Sequence, residues 1–136
     1  MARFGWETCA VEMLLVGTSH LFATVVVHAH YRRCDAYHHL FLAVTVLSVL
    51  FHATKDARVG RVDKGVAHAA FLYVLVRDGP QAVRTGQAWL LGFPLLVTVL
   101  WFVQPLFPER AERLHACLHL VAAAGLHMFM AWLYCD

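Results

Sequence analysis

Long apolar runs separated by short charged turns organise the chain. The first run covers about residues 6–28 and closes on Tyr31-Arg32-Arg33-Cys34-Asp35; the second covers about 37–54 and is followed by the polar turn from Lys55 to Arg61. A third, shorter run at about 62–76 is expected to end at Arg77-Asp78-Gly79-Pro80, because Gly-Pro breaks helices. The fourth, about 87–107, contains Pro94 and Pro105, which predict a kink near the first and a terminus near the second. Glu109 to Arg113 form a charged turn before the fifth run, about 114–134. A spanning helix takes about 20 residues. The pattern therefore predicts an all-α, polytopic transmembrane helix bundle of about five spans, with residues 1–136 forming a single transmembrane domain.

Composition agrees with that reading. Of 136 residues 60% are hydrophobic and only 15% are charged, against roughly a quarter charged in an average soluble domain. This argues against a soluble enzyme. The net charge of +2 comes with no basic face to track phosphates, which removes nucleic acid from the partners. The first run has no basic segment before it and no Ala-x-Ala cleavage pattern, so it reads as a retained span and not as a signal peptide. Trp6, Tyr31, Tyr37, Tyr73, Trp89, Trp101, Trp132 and Tyr134 fall near run ends, as interfacial rings do.

Alternating five spans puts the N-terminus and the loops at 55–64 and 108–113 on one side. That side carries Arg3, Lys55, Arg58, Arg61, Lys64, Arg110 and Arg113, against Arg32, Arg33, Arg77 and Arg84 on the other. The positive-inside rule then makes the former side cytoplasmic. Cys34 and Cys135 would share the outer side, either as two free thiols or, if that side is oxidising, as a disulfide.

Ten histidines are present, and ionisable groups within spans are costly enough to be functional candidates. His115 and His119 lie four apart, on one helix face one turn apart. Ser48 and His52 repeat the spacing near the end of span two, and Asp63 is expected in the first turn of span three. Topology brings all of these to similar depth on the cytoplasmic side. Three histidines from two helices with an open fourth position are the ligand set of a catalytic zinc, whose bound water becomes acidic near neutral pH. Asp63 can take the proton of that water or orient it, and Ser48 can hydrogen-bond it or a developing oxyanion. Taken singly, the pair His115/His119 also reads as packed histidines, Ser48 as a packing serine and Asp63 as a helix cap.

With those residues in place, the chain resembles the CREST superfamily of membrane hydrolases: alkaline ceramidases, adiponectin and progestin receptors, and Per-type lipid-remodelling hydrolases. Ser48-x-x-x-His52, Asp63 opening the next span and His115-x-x-x-His119 opening the last match its motif positions. The resemblance covers spans two, three and five. It implies zinc held by His52, His115 and His119, water positioned by Asp63 and Ser48, and hydrolysis of an amide or ester bond in a membrane lipid. The family has seven spans where five are counted here. Losing two preserves sidedness but thins the wall around the metal, which an oligomer or a larger membrane complex would complete. Trp6, Glu7 and Glu12 only faintly resemble the acidic, calcium-binding start of the ceramidases.

Two further functions compete: a non-catalytic membrane subunit or scaffold retaining a structural zinc, and a bis-histidine haem protein. Of the other histidines, His28, His30, His38 and His39 read as solvated residues around the opposite turn, while His68 and His127 sit inside spans, where a cavity or proton path is an alternative to simple packing. The small residues Ala122 to Gly125 are expected to permit close helix packing. No Gly-x-Ser-x-Gly elbow, P-loop, Gly-x-Gly-x-x-Gly or Cys-x-x-Cys occurs.

Overall fold

The computed structural model describes residues 5–133, with side chains for residue 10 and from residue 12 onward. Arg3, Tyr134 and Cys135, and the side chains of Trp6, Glu7 and Cys9, lie outside the described residues. The protein is an all-α helical bundle: α1 (Gly5–Ser19), α2 (Leu21–Tyr31), α3 (Asp35–Thr54), α4 (Ala57–Arg84), α5 (Gly92–Val103) and α6 (Ala111–Leu133), with no strand among the described residues. Four segments are long and apolar enough to cross a membrane: Glu12–Tyr31, Asp35–Thr54, Ala88–Leu106 and Pro108–Leu133.

The first apolar run is two helices. The hydroxyls of Thr18 and Ser19 both donate back to the Leu15 carbonyl, at 3.2 and 2.8 Å, an arrangement that bends a helix. The chain breaks at His20, whose N–H is shared between the carbonyls of Val16 and Gly17.

The connection from α3 to α4 is two residues long. Lys55 stops α3 with a left-handed backbone (φ 56°), and Asp56 caps α4 by accepting the N–H groups of Arg58 (2.6 Å) and Val59 (3.3 Å). The third run is accordingly much longer than its apolar stretch: α4 begins at Ala57, and it passes through Gly79-Pro80 to Arg84. A proline forfeits one backbone hydrogen bond. The actual stop is Gly86 at φ +75°, where the N–H groups of Gly86 and Gln87 close on the carbonyls of Val83 and Ala82 in a Schellman arrangement. Pro94 starts α5 and does not kink it, since it is the third residue of that helix, where no N–H is needed; Pro105 sits in the terminal 3-10 turn as expected.

α6 is the hub. It packs on α1, α2 and α5, while α3 packs on α1, α2 and α4. The core joins Val25 and Ala29 of α2, Tyr37 and Phe41 of α3, Ala70 and Val74 of α4, and Leu126, Phe129 and Met130 of α6. Gly125 lets α5 close on α6, because a Cβ there would lie 2.6 Å from the Cβ of Phe93.

Candidate metal centre

The break after Ser19 decides what lies between α3 and α6. Both helices pack on α1, and the last turn of α1 presents Thr18 and Ser19, both buried, into the space between them. His52 reaches this space from the last turn of α3, and His115 and His119 from the start of α6.

The three imidazoles converge. Ring centroids are 4.6 Å apart for His115–His119, 5.4 Å for His52–His115 and 5.6 Å for His52–His119, and one ligand nitrogen from each lies within 4.8 Å of the others. His52 and His119 are buried and His115 is half-buried. The cluster can hold a metal ion.

Hydrogen bonding prepares it for that role. With the Thr18 proton directed to Leu15, its oxygen can accept from Nδ1 of His119 at 3.2 Å, and in that tautomer Nε2 of His119 carries a lone pair. Ser19 likewise donates to Leu15 and can accept from Ser48 Oγ at 3.1 Å; its oxygen is also 3.5 Å from Nδ1 of His119. The Gln104 carboxamide stands 3.3 Å from Nδ1 of His115, and its two faces can hold either ring tautomer. One group remains unsatisfied: Nε2 of His52 is the buried side-chain nitrogen or oxygen without a partner among the described residues. An orphaned buried donor or acceptor costs about 1–3 kcal/mol, and coordination of a metal ion is one way to relieve it.

Of the five residues expected at the site, the structure brings together His52, His115, His119 and, through Ser19, Ser48. Asp63 is buried but sits in the second turn of α4, not the first, and capping falls to Asp56. No hydrogen bond or ion pair joins Asp63 to the histidines among the described residues. Thr18, Ser19 and Gln104 were not anticipated. The signal available in the sequence was Thr18-Ser19-His20, a polar triplet in the middle of an apolar run.

Beside the cluster, a cavity of about 300 Å³ lies between α4 and α5, floored by Phe22, Phe41 and Leu118 and walled by Phe71, Phe93 and Trp101. Phe22 meets His119 edge-on at 5.6 Å, so the cavity adjoins the imidazoles. His68 and Trp101 both line it, with their rings perpendicular at 4.9 Å.

The remaining histidines are elsewhere. Nδ1 of His28 and His127 are 2.8 Å apart, and Nε2 of His127 is 2.9 Å from Thr24 Oγ1. His38 contacts the rings of His30 and His39 around the α2–α3 turn. Glu12 is exposed on α1.

The class defined so far is an all-α bundle with apolar spanning-length helices and a three-histidine candidate metal centre. Comparison with protein-family models, with curated proteins and with solved structures returns no match.

Proposed function

We propose that this chain is a zinc-dependent intramembrane hydrolase of the CREST type, cleaving an amide or ester bond of a ceramide-like or glycerolipid substrate. The observation that carries the reading is the convergence of His52, His115 and His119 around the partnerless Nε2 of His52. Neutral imidazoles are zinc ligands, and three of them leave a coordination position open. Zinc held there would supply Lewis acidity for activating a water or a carbonyl. The chain's own groups do the rest. Thr18 holds the His119 tautomer. Ser48, whose proton can point to Ser19, keeps oxygen lone pairs for a reacting group. The apolar cavity next to His119 suits an acyl chain and excludes water from that flank. The basic excess around the α3–α4 turn and the start of α6 supports a cytoplasmic site end.

A second reading, a non-catalytic membrane subunit with a structural zinc, is favoured by Asp63 not joining the three-histidine group among the described residues. The test is metal content by mass spectrometry on detergent-purified wild type and the His115→Ala/His119→Ala variant, followed by release of fatty acid from ceramide and glycerolipid micelles. One zinc per chain, lost in the variant, together with turnover lost in Asp63→Asn, supports the hydrolase. Zinc without turnover favours the structural role, and zinc in neither protein overturns both.

A further inference from the structure

The cavity of about 300 Å³ lies between α4, which packs on α3, and α5, which packs on α6. No Asp, Glu, Lys or Arg lines it among the described residues, and the side chains in its lining that can hydrogen-bond are His68, Thr98 and Trp101. Thr98 is satisfied within its own helix, where its hydroxyl donates to the Pro94 carbonyl at 2.8 Å. His68 is fixed by its helix as well. Its Nδ1 is 2.6 Å from the Lys64 carbonyl, which can only accept, so Nδ1 carries the proton and Nε2 of the neutral ring carries a lone pair. Trp101 offers the complementary group, an indole N–H that can only donate, and the two rings meet at 4.9 Å. Neither Nε2 of His68 nor Nε1 of Trp101 has a hydrogen-bond partner among the described residues.

Both residues belong to apolar stretches. His68 lies in residues 65–76 of α4, which contain no Asp, Glu, Lys or Arg, and Trp101 in the spanning-length segment Ala88–Leu106. Away from water, an acceptor and a donor left open are costly, and their chemistry specifies the group that closes them. A hydroxyl donates and accepts through one oxygen, so it can serve the imidazole and the indole together. An ether, ester or ketone oxygen serves the indole alone, and an anion would enter an apolar cavity without a counter-ion. The volume is at the small end of ligand sites, which suits one alkyl chain. We propose that the α4–α5 cavity binds an uncharged single-chain lipid bearing a hydroxyl, with His68 as the specificity-determining residue that accepts a hydrogen bond from that hydroxyl. As a statement about substrate this rests on the hydrolase reading; as a statement about binding it does not.

The experiment measures displacement of tritiated hexadecanol from the full chain in mild detergent by unlabelled hexadecanol, by its methyl ether, and by palmitate as the anion at alkaline pH. The ether keeps the chain and the oxygen but has no proton to donate. Partition into detergent is common to all variants, so the readout is the preference for alcohol over ether in wild type relative to His68→Phe, which keeps a ring against Trp101 and removes the acceptor. That preference is expected to be about tenfold larger in wild type, the worth of one hydrogen bond to a buried acceptor, whereas a structural disturbance would weaken both ligands alike. His68→Gln, which restores an acceptor, should recover part of it. Ala67→Phe fills the cavity and should lower binding of both ligands. Neither ligand has a bond to hydrolyse, so the same preferences are expected in the His115→Ala/His119→Ala protein, and a failure of the hydrolase reading leaves the binding result standing. An equal preference in wild type and His68→Phe, undiminished hexadecanol binding in Ala67→Phe, or displacement by palmitate as effective as by the alcohol each overturns the proposal.

Discussion

Helix α3 carries a buried polar cluster at each end, and the two are finished differently. At its N-terminal end Tyr37 donates to Asp78, and Arg77 reaches Asp78 and the Tyr73 hydroxyl, so the buried hydroxyl and carboxylate are partnered. At its C-terminal end Ser48 is joined to Ser19, but His52 keeps a buried nitrogen with no partner. Buried polar groups are almost always hydrogen-bonded. A closed network holds helices together; an open one next to two further imidazoles is where a metal ion could bind. Removing a group should therefore have opposite signs at the two ends.

The largest effect is expected from metal. An ion that binds only the folded chain stabilises it by about 4 kcal/mol at a thousandfold excess over its dissociation constant. Thermal unfolding in detergent should show a chelator-dependent fall of that order in wild type and none in His52→Leu. A chelator response in His52→Leu equal to that of wild type would place the metal elsewhere. Next comes Asp78→Ala at the closed end. It removes the hydrogen bond from the fully buried Tyr37 hydroxyl and the Arg77–Asp78 ion pair, a loss of about 2–3 kcal/mol, reduced from the value for a wholly buried pair because the Arg77 side chain is 41% exposed. Tyr37→Phe removes the donor and should cost less. The contrast is sharpest for His52→Leu measured without metal. Replacing the orphaned imidazole by an apolar side chain should raise stability by about 1 kcal/mol, although the same change abolishes metal uptake. A fall in stability in chelator would mean that Nε2 has a partner after all.

A smaller perturbation probes how His52 is aimed. A Cβ on Gly60 would lie 2.5 Å from the Phe51 ring, and that ring stands 5.1 Å from the His52 ring. Gly60→Ala should displace Phe51 at a cost of about 1 kcal/mol and lower metal affinity, read by titration against a chelating dye. Affinity unchanged from wild type would show that the Phe51–His52 contact does not position the ligand.

How much of this was legible in the sequence follows from the range of each interaction. His115 and His119 are one turn apart, so spacing alone stacked them, and alternation of the spans brought His52 to the same depth. The partners of His119 are Thr18 and Ser19, 101 and 100 positions away, and nothing in local periodicity reports a contact at that separation. The bend that aims those hydroxyls inward comes from their bonds to Leu15, visible beforehand only as a polar triplet. Tyr37 illustrates the same limit: its place near a run end suggested an interfacial ring, yet it is fully buried on Asp78. The stop assigned to Gly79-Pro80 belonged to Gly86, because a proline costs a helix one bond while a left-handed residue ends it.

The smallest expected effect concerns Cys34, at the closed end and between the spanning segments. Burial pushes its thiol above the ordinary range, opposed by the positive charges of Arg77 and Arg32 and aided by Asp78 and Asp35. The thiolate is the reactive form, so alkylation at pH 8 should be slower than for an unhindered thiol and should accelerate as pH rises. Arg32→Gln removes one of the opposing cations, so the pKa should move further up and the rate should fall a fewfold more. A burial effect on access alone would slow the reaction without changing its pH profile, so the profile of Arg32→Gln against wild type separates electrostatics from shielding. A profile unmoved by the substitution would show that the charge of Arg32 does not reach the thiol.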